Sequence, residues 1–173
     1  MTCEVASIQW SGQLLAATAP ELAAISGLGL AFYGLCAGTM RLFGDRLRTR
    51  FGDLKIMSAS LAVAISGFAV LGIAPSFWIS VVAFAAVGSG LAVVFPSLFS
   101  LAGSLAPQAR ASALSFTAFV GGLPRIILPW CLGVIAAAEN VNAVFGALAF
   151  VAVSALLLIV MVYRRSAAQH LAK

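Results

Sequence analysis

Residues 55–110 read KIMSASLAVAISGFAVLGIAPSFWISVVAFAAVGSGLAVVFPSLFSLAGSLAPQAR, and no charged side chain stands between Lys55 and Arg110. A helix needs about 20 apolar residues to cross a hydrocarbon core of roughly 30 Å, so this run is long enough for two crossings, with Pro75 and Ser76 as the turn between them. The same pattern extends in both directions: there is no charge between Glu21 and Arg41, and none between Glu139 and Arg164. With 62% hydrophobic and 9% charged residues, the chain lies far from the roughly 45–50% apolar and about 25% charged composition of a soluble domain. Its solvent is lipid, and the fold class expected is an all-α integral membrane protein of about five transmembrane helices.

The spans are expected over residues 22–40, 56–73, 77–105, 112–137 and 141–163, followed by a polar tail, 164–173. The third is longer than one crossing requires, which implies tilt or a kink at Pro96, and Pro107 marks its stop. Basic residues are retained on the cytoplasmic side. Here Arg41, Arg46, Arg48, Arg50 and Lys55 follow the first span, Arg110 follows the third, and Arg164, Arg165 and Lys173 follow the fifth. The opposite side comprises residues 1–21, the Pro75 turn and the turn from Glu139 to Asn142, and has no Lys or Arg. The expectation is an N-terminus outside and a C-terminus inside.

Several function classes are excluded or weakened. The first twenty residues do not read as a signal peptide, because Glu4 stands where a basic n-region would be. Cys3, Cys36 and Cys131 are scattered, with neither disulfide-framework nor metal-ligand spacing, and His170 lies in the polar tail. The net charge of +5 comes from cytoplasmic-type loops and argues membrane anchoring, with no nucleic-acid partner. The acids are Glu4, Glu21, Asp45, Asp53 and Glu139, and none forms the nucleophile–base or paired-acid grouping that catalysis needs. No enzyme activity, cofactor or metal is expected.

In lipid, close packing of backbones replaces the hydrophobic drive between helices. Gly34 and Gly38 in the first span, Gly88 and Gly90 in the third, and Gly121 and Gly133 in the fourth are the small residues suited to that packing. A proline in a membrane helix frees carbonyls that neighbours must satisfy, so Pro96, Pro124 and Pro129 are expected to face protein.

The stretch Arg41-Leu42-Phe43-Gly44-Asp45-Arg46-Leu47-Arg48-Thr49-Arg50-Phe51-Gly52 resembles the cytoplasmic signature loop of the major facilitator superfamily, in the form G-R-x-x-G-D-R-L-x-x-R-F-G found in bacterial transporters that resemble sugar permeases. Met40 stands in place of the leading glycine. Gly88-Ser89-Gly90-Leu91-Ala92 with Phe95-Pro96 resembles that group's tenth helix, and Gly121-Gly122 with Pro129 its eleventh. Glu4-Val5-Ala6-Ser7-Ile8-Gln9-Trp10-Ser11 resembles the end of its seventh. The resemblance implies that the five spans are helices 8 to 12 of a twelve-helix fold, and that residues 1–21 are a remnant of helix 7 with an external loop.

In the resembled family the signature loop holds the cytoplasmic side closed, which implies a gate formed by Arg41, Gly44, Asp45, Arg46, Arg50 and Gly52. Asp45, an acid at a helix end, can pair with Arg46, with Arg50 or with a neighbouring helix N-terminus; the plainer reading is a solvated basic loop that fixes topology. Arg125 is the one ionisable residue deep inside a span, where insertion costs roughly 2.5–3.5 kcal/mol. Gly121, Arg125, Pro129 and Gly133 recur every four residues and so share a helix face, making Arg125 a candidate for pairing with an anionic substrate or an acid of another half. The alternative is an arginine that snorkels or satisfies freed carbonyls. Glu4, Trp10 and Gln9 are further substrate or coupling candidates, because the resemblance places them on a cavity-lining helix; Gln9 stands where an acid is usual, and Glu4 is either a coupling acid or a solvated terminal residue.

The function expected is transport of a small solute by alternating access, as the C-terminal half of a secondary transporter of the inner membrane. The partners expected are the lipid bilayer, the solute and an N-terminal six-helix half. The alternative is a stand-alone small membrane protein with a structural or regulatory role, including as a homo-oligomer.

Overall fold

A computed structural model describes the backbone of residues 2–74, 76–138 and 140–171, and the side chains of residues 3–74, 76–137 and 140–161. Pro75, Glu139 and Lys173, which entered the topological expectations, lie outside the described residues. Among the described residues there are seven α-helices: α1 (Thr2–Thr18), α2 (Leu28–Phe51), α3 (Asp53–Ile73), α4 (Phe77–Leu105), α5 (Arg110–Gly122), α6 (Pro124–Ala138) and α7 (Val141–Leu171). Short 3₁₀ helices over Pro20–Ile25 and Pro107–Ala109 lead into α2 and α5. The protein is an all-α integral membrane protein. Among the described residues four stretches are long and apolar enough to cross a bilayer: Asp53–Ile73, Phe77–Leu105, Pro107–Ala137 and Val141–Met161.

The expected first span differs. Residues 20–25 turn as a 3₁₀ helix led by Pro20, and the α-helix starts at Leu28 and runs through the basic stretch to Phe51. The charges do not stop it, because arginine and leucine are good helix formers and an acid and a base three residues apart support each other on one face. The stretch that resembles a loop is therefore mostly helix. The loop itself is the single residue Gly52, at φ 84° and ψ 150°, whose N–H donates to the Arg48 carbonyl at 2.8 Å. A side chain would be strained at this φ. The expected fourth span is also divided, at Leu123, because Pro124 has no N–H to carry the ladder on and occupies the first position of α6, where none is needed.

At the centre lies α4, with α3 packed along one side and α2 along the other, while α7 packs against α3 and reaches α4 through Phe145. The approach depends on glycine. A Cβ on Gly88 would run into the Tyr33 carbonyl of α2, and one on Gly90 would lie 2.5 Å from the Ser60 carbonyl of α3. These two positions press α4 backbone against backbone on two sides, which is the attraction available to helices in a solvent as apolar as they are. Phe68, Phe84 and Phe145 are fully buried at this centre, with Phe84 and Phe145 edge to face at 5.5 Å. By contrast, Gly34 and Gly38 of α2 have open space where a Cβ would stand, so they mark no close approach within this chain.

Candidate functional site

The site is built where α2 meets α3 and α1. Asp45 lies three residues before Arg48, one helical turn away on the same face, and Arg48 Nη1 is 3.2 Å from Asp45 Oδ1. The expected partners of Asp45, Arg46 and Arg50, are not the ones it takes. Their offsets of one and five residues turn them off its face, whereas Arg48 stays on it. Arg48 also reaches across the Gly52 joint, with Nε 2.7 Å from Asp53 Oδ1. Its side chain is 16% exposed and that of Asp53 25%, against 89% for Asp45. The strong half of this cluster is the partly buried, charge-assisted bond between Arg48 and Asp53, and Asp53 gains further from its place in the first turn of α3, where the helix dipole favours an acid.

Arg48 and Asp53 were not singled out from the sequence as gate residues. The available signal was the acid–base–acid spacing Asp45, Arg48, Asp53 around a glycine. Among the described residues Arg46 makes no ion pair; Arg50 lies over the Phe51 ring at 5.4 Å. Gly44 is buried with Val93 of α4 3.5 Å from where its Cβ would stand, so it sets the distance between α2 and α4. A pocket of about 250 Å³ opens there between Arg41, Asp45, Arg48, Val93 and Pro96.

A second ion pair joins α1 to α2: Arg41 Nη2 lies 2.8 Å from Glu4 Oε1, with side chains 55% and 26% exposed. Residues 1–21 were expected on the side opposite the basic stretch, whereas Glu4 lies at the level of Arg41. Because residues 2–18 form one helix that runs antiparallel to α2 after the turn at Pro20–Ile25, its N-terminal end returns to the level of Arg41. Two residues named separately from the sequence, one for coupling and one for the gate, are thus direct partners. Of the other α1 candidates, Trp10 is half-buried against the core and Gln9 is exposed.

Arg125 is the second residue of α6 and is exposed; it also interacts with other groups of the structure. On the same helical stretch Gly121 and Pro124 line an apolar pocket together with Cys3. Among the described residues no three of His, Cys, Asp and Glu gather closely enough to hold a metal ion.

Comparison with known proteins matches residues 5–173 to the sequence profile of the Major Facilitator Superfamily. Membrane protein MosC of Rhizobium meliloti is 26% identical over 142 residues, 82% of this chain and 35% of the relative. An uncharacterized MFS-type transporter of Yersinia pestis is 26% identical over 147 residues, 84% of this chain and 38% of the relative. The chain thus spans little more than a third of the length of these curated relatives. No solved structure matches.

Proposed function

The chain belongs to the Major Facilitator Superfamily, and from that premise we propose that it acts as the C-terminal half of a secondary transporter that carries a small solute across the cell's inner membrane. In such carriers two bundles rock about a site near the bilayer midplane, and one bundle cannot enclose that site. The match of nearly the whole chain to about a third of each relative is the observation that carries this reading, with an N-terminal six-helix half as the partner. The end bearing Arg41, Arg46, Arg48 and Arg50 is cytoplasmic on the positive-inside rule.

Within that reading the cluster of Arg48 with Asp45 and Asp53 is the latch of the cytoplasmic face, and the pair of Glu4 and Arg41 is the coupling element. Protonating Glu4, or setting an anionic solute on Arg41, removes the 2.8 Å link between α1 and α2 and frees the two helices to move apart. Arg125, on an exposed helix, is assigned to an anionic solute or to an acid of the other half.

The test is uptake by vesicles containing this chain together with a six-span N-terminal half. Wild type is expected to accumulate solute. Glu4→Gln is expected to lose accumulation against a gradient by about tenfold or more while keeping exchange of solute for solute, because only the step coupled to protonation is lost; a tenfold change corresponds to about 1.4 kcal/mol. Unchanged accumulation in Glu4→Gln would remove the coupling role, and unchanged uptake in Arg125→Gln would remove the assignment of that residue.

A further inference from the structure

Helices α3 and α7 run antiparallel and touch at one end through glycine: a Cβ on Gly72 would lie 3.5 Å from the Gly146 Cα. Toward the basic end, about 21 Å further at 1.5 Å per residue, Ser58 of α3 and Val160 of α7 stand at matching positions. There the two helices no longer touch backbone to backbone, and a pocket of about 240 Å³ is lined by Leu54, Lys55, Ser58 and Val160.

Ser58 lies three residues after Lys55 and four after Leu54, so the three share a face of α3, whereas Ile56, Met57 and Ser60 are buried. Lys55 is exposed and makes no ion pair among the described residues. The neighbouring acid of α3, Asp53, is held by Arg48 at 2.7 Å. The Ser58 hydroxyl donates to the Leu54 carbonyl at 2.9 Å, so the Lys55 ammonium, with its three N–H donors, is the group left to hold an anion. Beyond Val160 the sequence of α7 adds Arg164 and Arg165. In the other direction Leu157 and Val153 of α7, three and seven residues before Val160, are exposed and continue one apolar strip along the helix.

We propose that the groove between α3 and α7 is a seat for one anionic phospholipid, with its phosphate on Lys55 and its acyl chains running from the pocket along Leu157 and Val153. Charge and depth both select this occupant. The membrane-crossing stretch of α3 begins at Asp53, which puts Lys55 at the level of the headgroups, where basic side chains attract anionic lipid. A zwitterionic lipid brings a cation of its own to a corner that is already positive. A soluble anion would meet Lys55 but leave the apolar walls of Leu54 and Val160 uncovered. The bound lipid joins α3 to α7 at the end where they are parted, as Gly72 and Gly146 join them at the other.

In the experiment the purified chain in mild detergent is given phosphatidylglycerol or phosphatidylcholine at equal concentration. Native mass spectrometry counts the lipid retained, and Tm is followed by tryptophan fluorescence. Retention of one phosphatidylglycerol is expected to exceed that of phosphatidylcholine by about fivefold, the effect of one basic side chain on an anionic lipid, with Tm raised by several degrees. Lys55→Gln is expected to bring the two lipids to parity, and Val160→Trp, which fills the pocket, to lower retention of phosphatidylglycerol. Arg46→Gln removes the same charge from an exposed residue of α2 that makes no ion pair among the described residues, and is expected to keep the preference. Equal retention of the two lipids overturns the proposal. So does a preference that Lys55→Gln and Arg46→Gln reduce alike, since the attraction is then the net charge of the basic end. A rise in Tm of the same size from sodium phosphate, lost in Lys55→Gln, overturns it in favour of a soluble anion. A concentration-dependent dimer that Lys55→Gln dissolves and phosphatidylglycerol does not overturns it in favour of a second copy. The proposal needs the membrane fold and not the transport reading, so neither outcome here decides uptake.

Discussion

The α2–α3–α4 slab and the α5–α6 pair are both helical, yet they are held in different ways. In the slab, Gly88 and Gly90 let α4 touch the backbones of α2 and α3, and α4 buries Phe77, Phe84, Val87 and Val93. In α5 no residue is buried, and Phe116, Phe119, Ile126, Ile127 and Trp130 point outward, 62–78% exposed. Hydrophobicity does not separate the two regions, because lipid accepts leucine and phenylalanine as readily as a helix neighbour does. Contact separates them: the glycines of α4 press on a neighbouring backbone on two sides, whereas the large side chains of α5 and α6 named above face lipid or another polypeptide.

The contrast is broken most directly at Gly88. Overpacking costs roughly 1–3 kcal/mol and occasionally more; because the obstacle is the Tyr33 backbone, Gly88→Leu is expected to lose about 3 kcal/mol or more, seen as loss of the folded, monodisperse chain after extraction. A smaller effect is expected at the α2–α3 joint. Arg48→Ala leaves the partly buried Asp53 without its 2.7 Å partner and should cost about 1–2 kcal/mol, between the values for exposed and for buried pairs, measured as a lowered Tm. Asp45→Asn, at an 89% exposed side chain, should change stability by under about 0.5 kcal/mol, so the ratio of these two effects tests which half of the cluster is strong.

Further down the scale, Gly34→Ala meets open space and improves helix propensity by up to about 1 kcal/mol, so the isolated chain should be unchanged or slightly more stable. Uptake by the joined carrier should fall if the other half packs on that face. The least effect is expected at Trp130, 74% exposed: Trp130→Leu should stay within about 0.5 kcal/mol by thermal unfolding. A large loss there would mean that α6 is held within this chain after all.

Much of the fold was legible because charge is the costly commodity in lipid. The run between Lys55 and Arg110 announces membrane helices without any knowledge of packing. The extent of α2 was not legible in that way: Arg41 to Arg50 read as a loop on charge, but the stretch stays helical until Gly52, with Asp45 and Arg48 paired on one face. The candidate site was half visible. Glu4, Arg41 and Asp45 were named as residue types worth attention, but the bond between Glu4 and Arg41 joins positions 37 apart and depends on α1 folding back antiparallel to α2. The glycines show the same limit, since Gly34, Gly38, Gly88 and Gly90 look alike in sequence, and only the neighbouring backbone tells a contact from a vacancy.

The joint at Gly52 has one more implication. With one residue between α2 and α3, and that residue tied to Arg48 through its amide, the strand of chain there has no slack for a protease to extend or for an inserted epitope to displace. The most strongly basic stretch of the protein should therefore stay whole under limited digestion, and α2 and α3 should tilt as one lever.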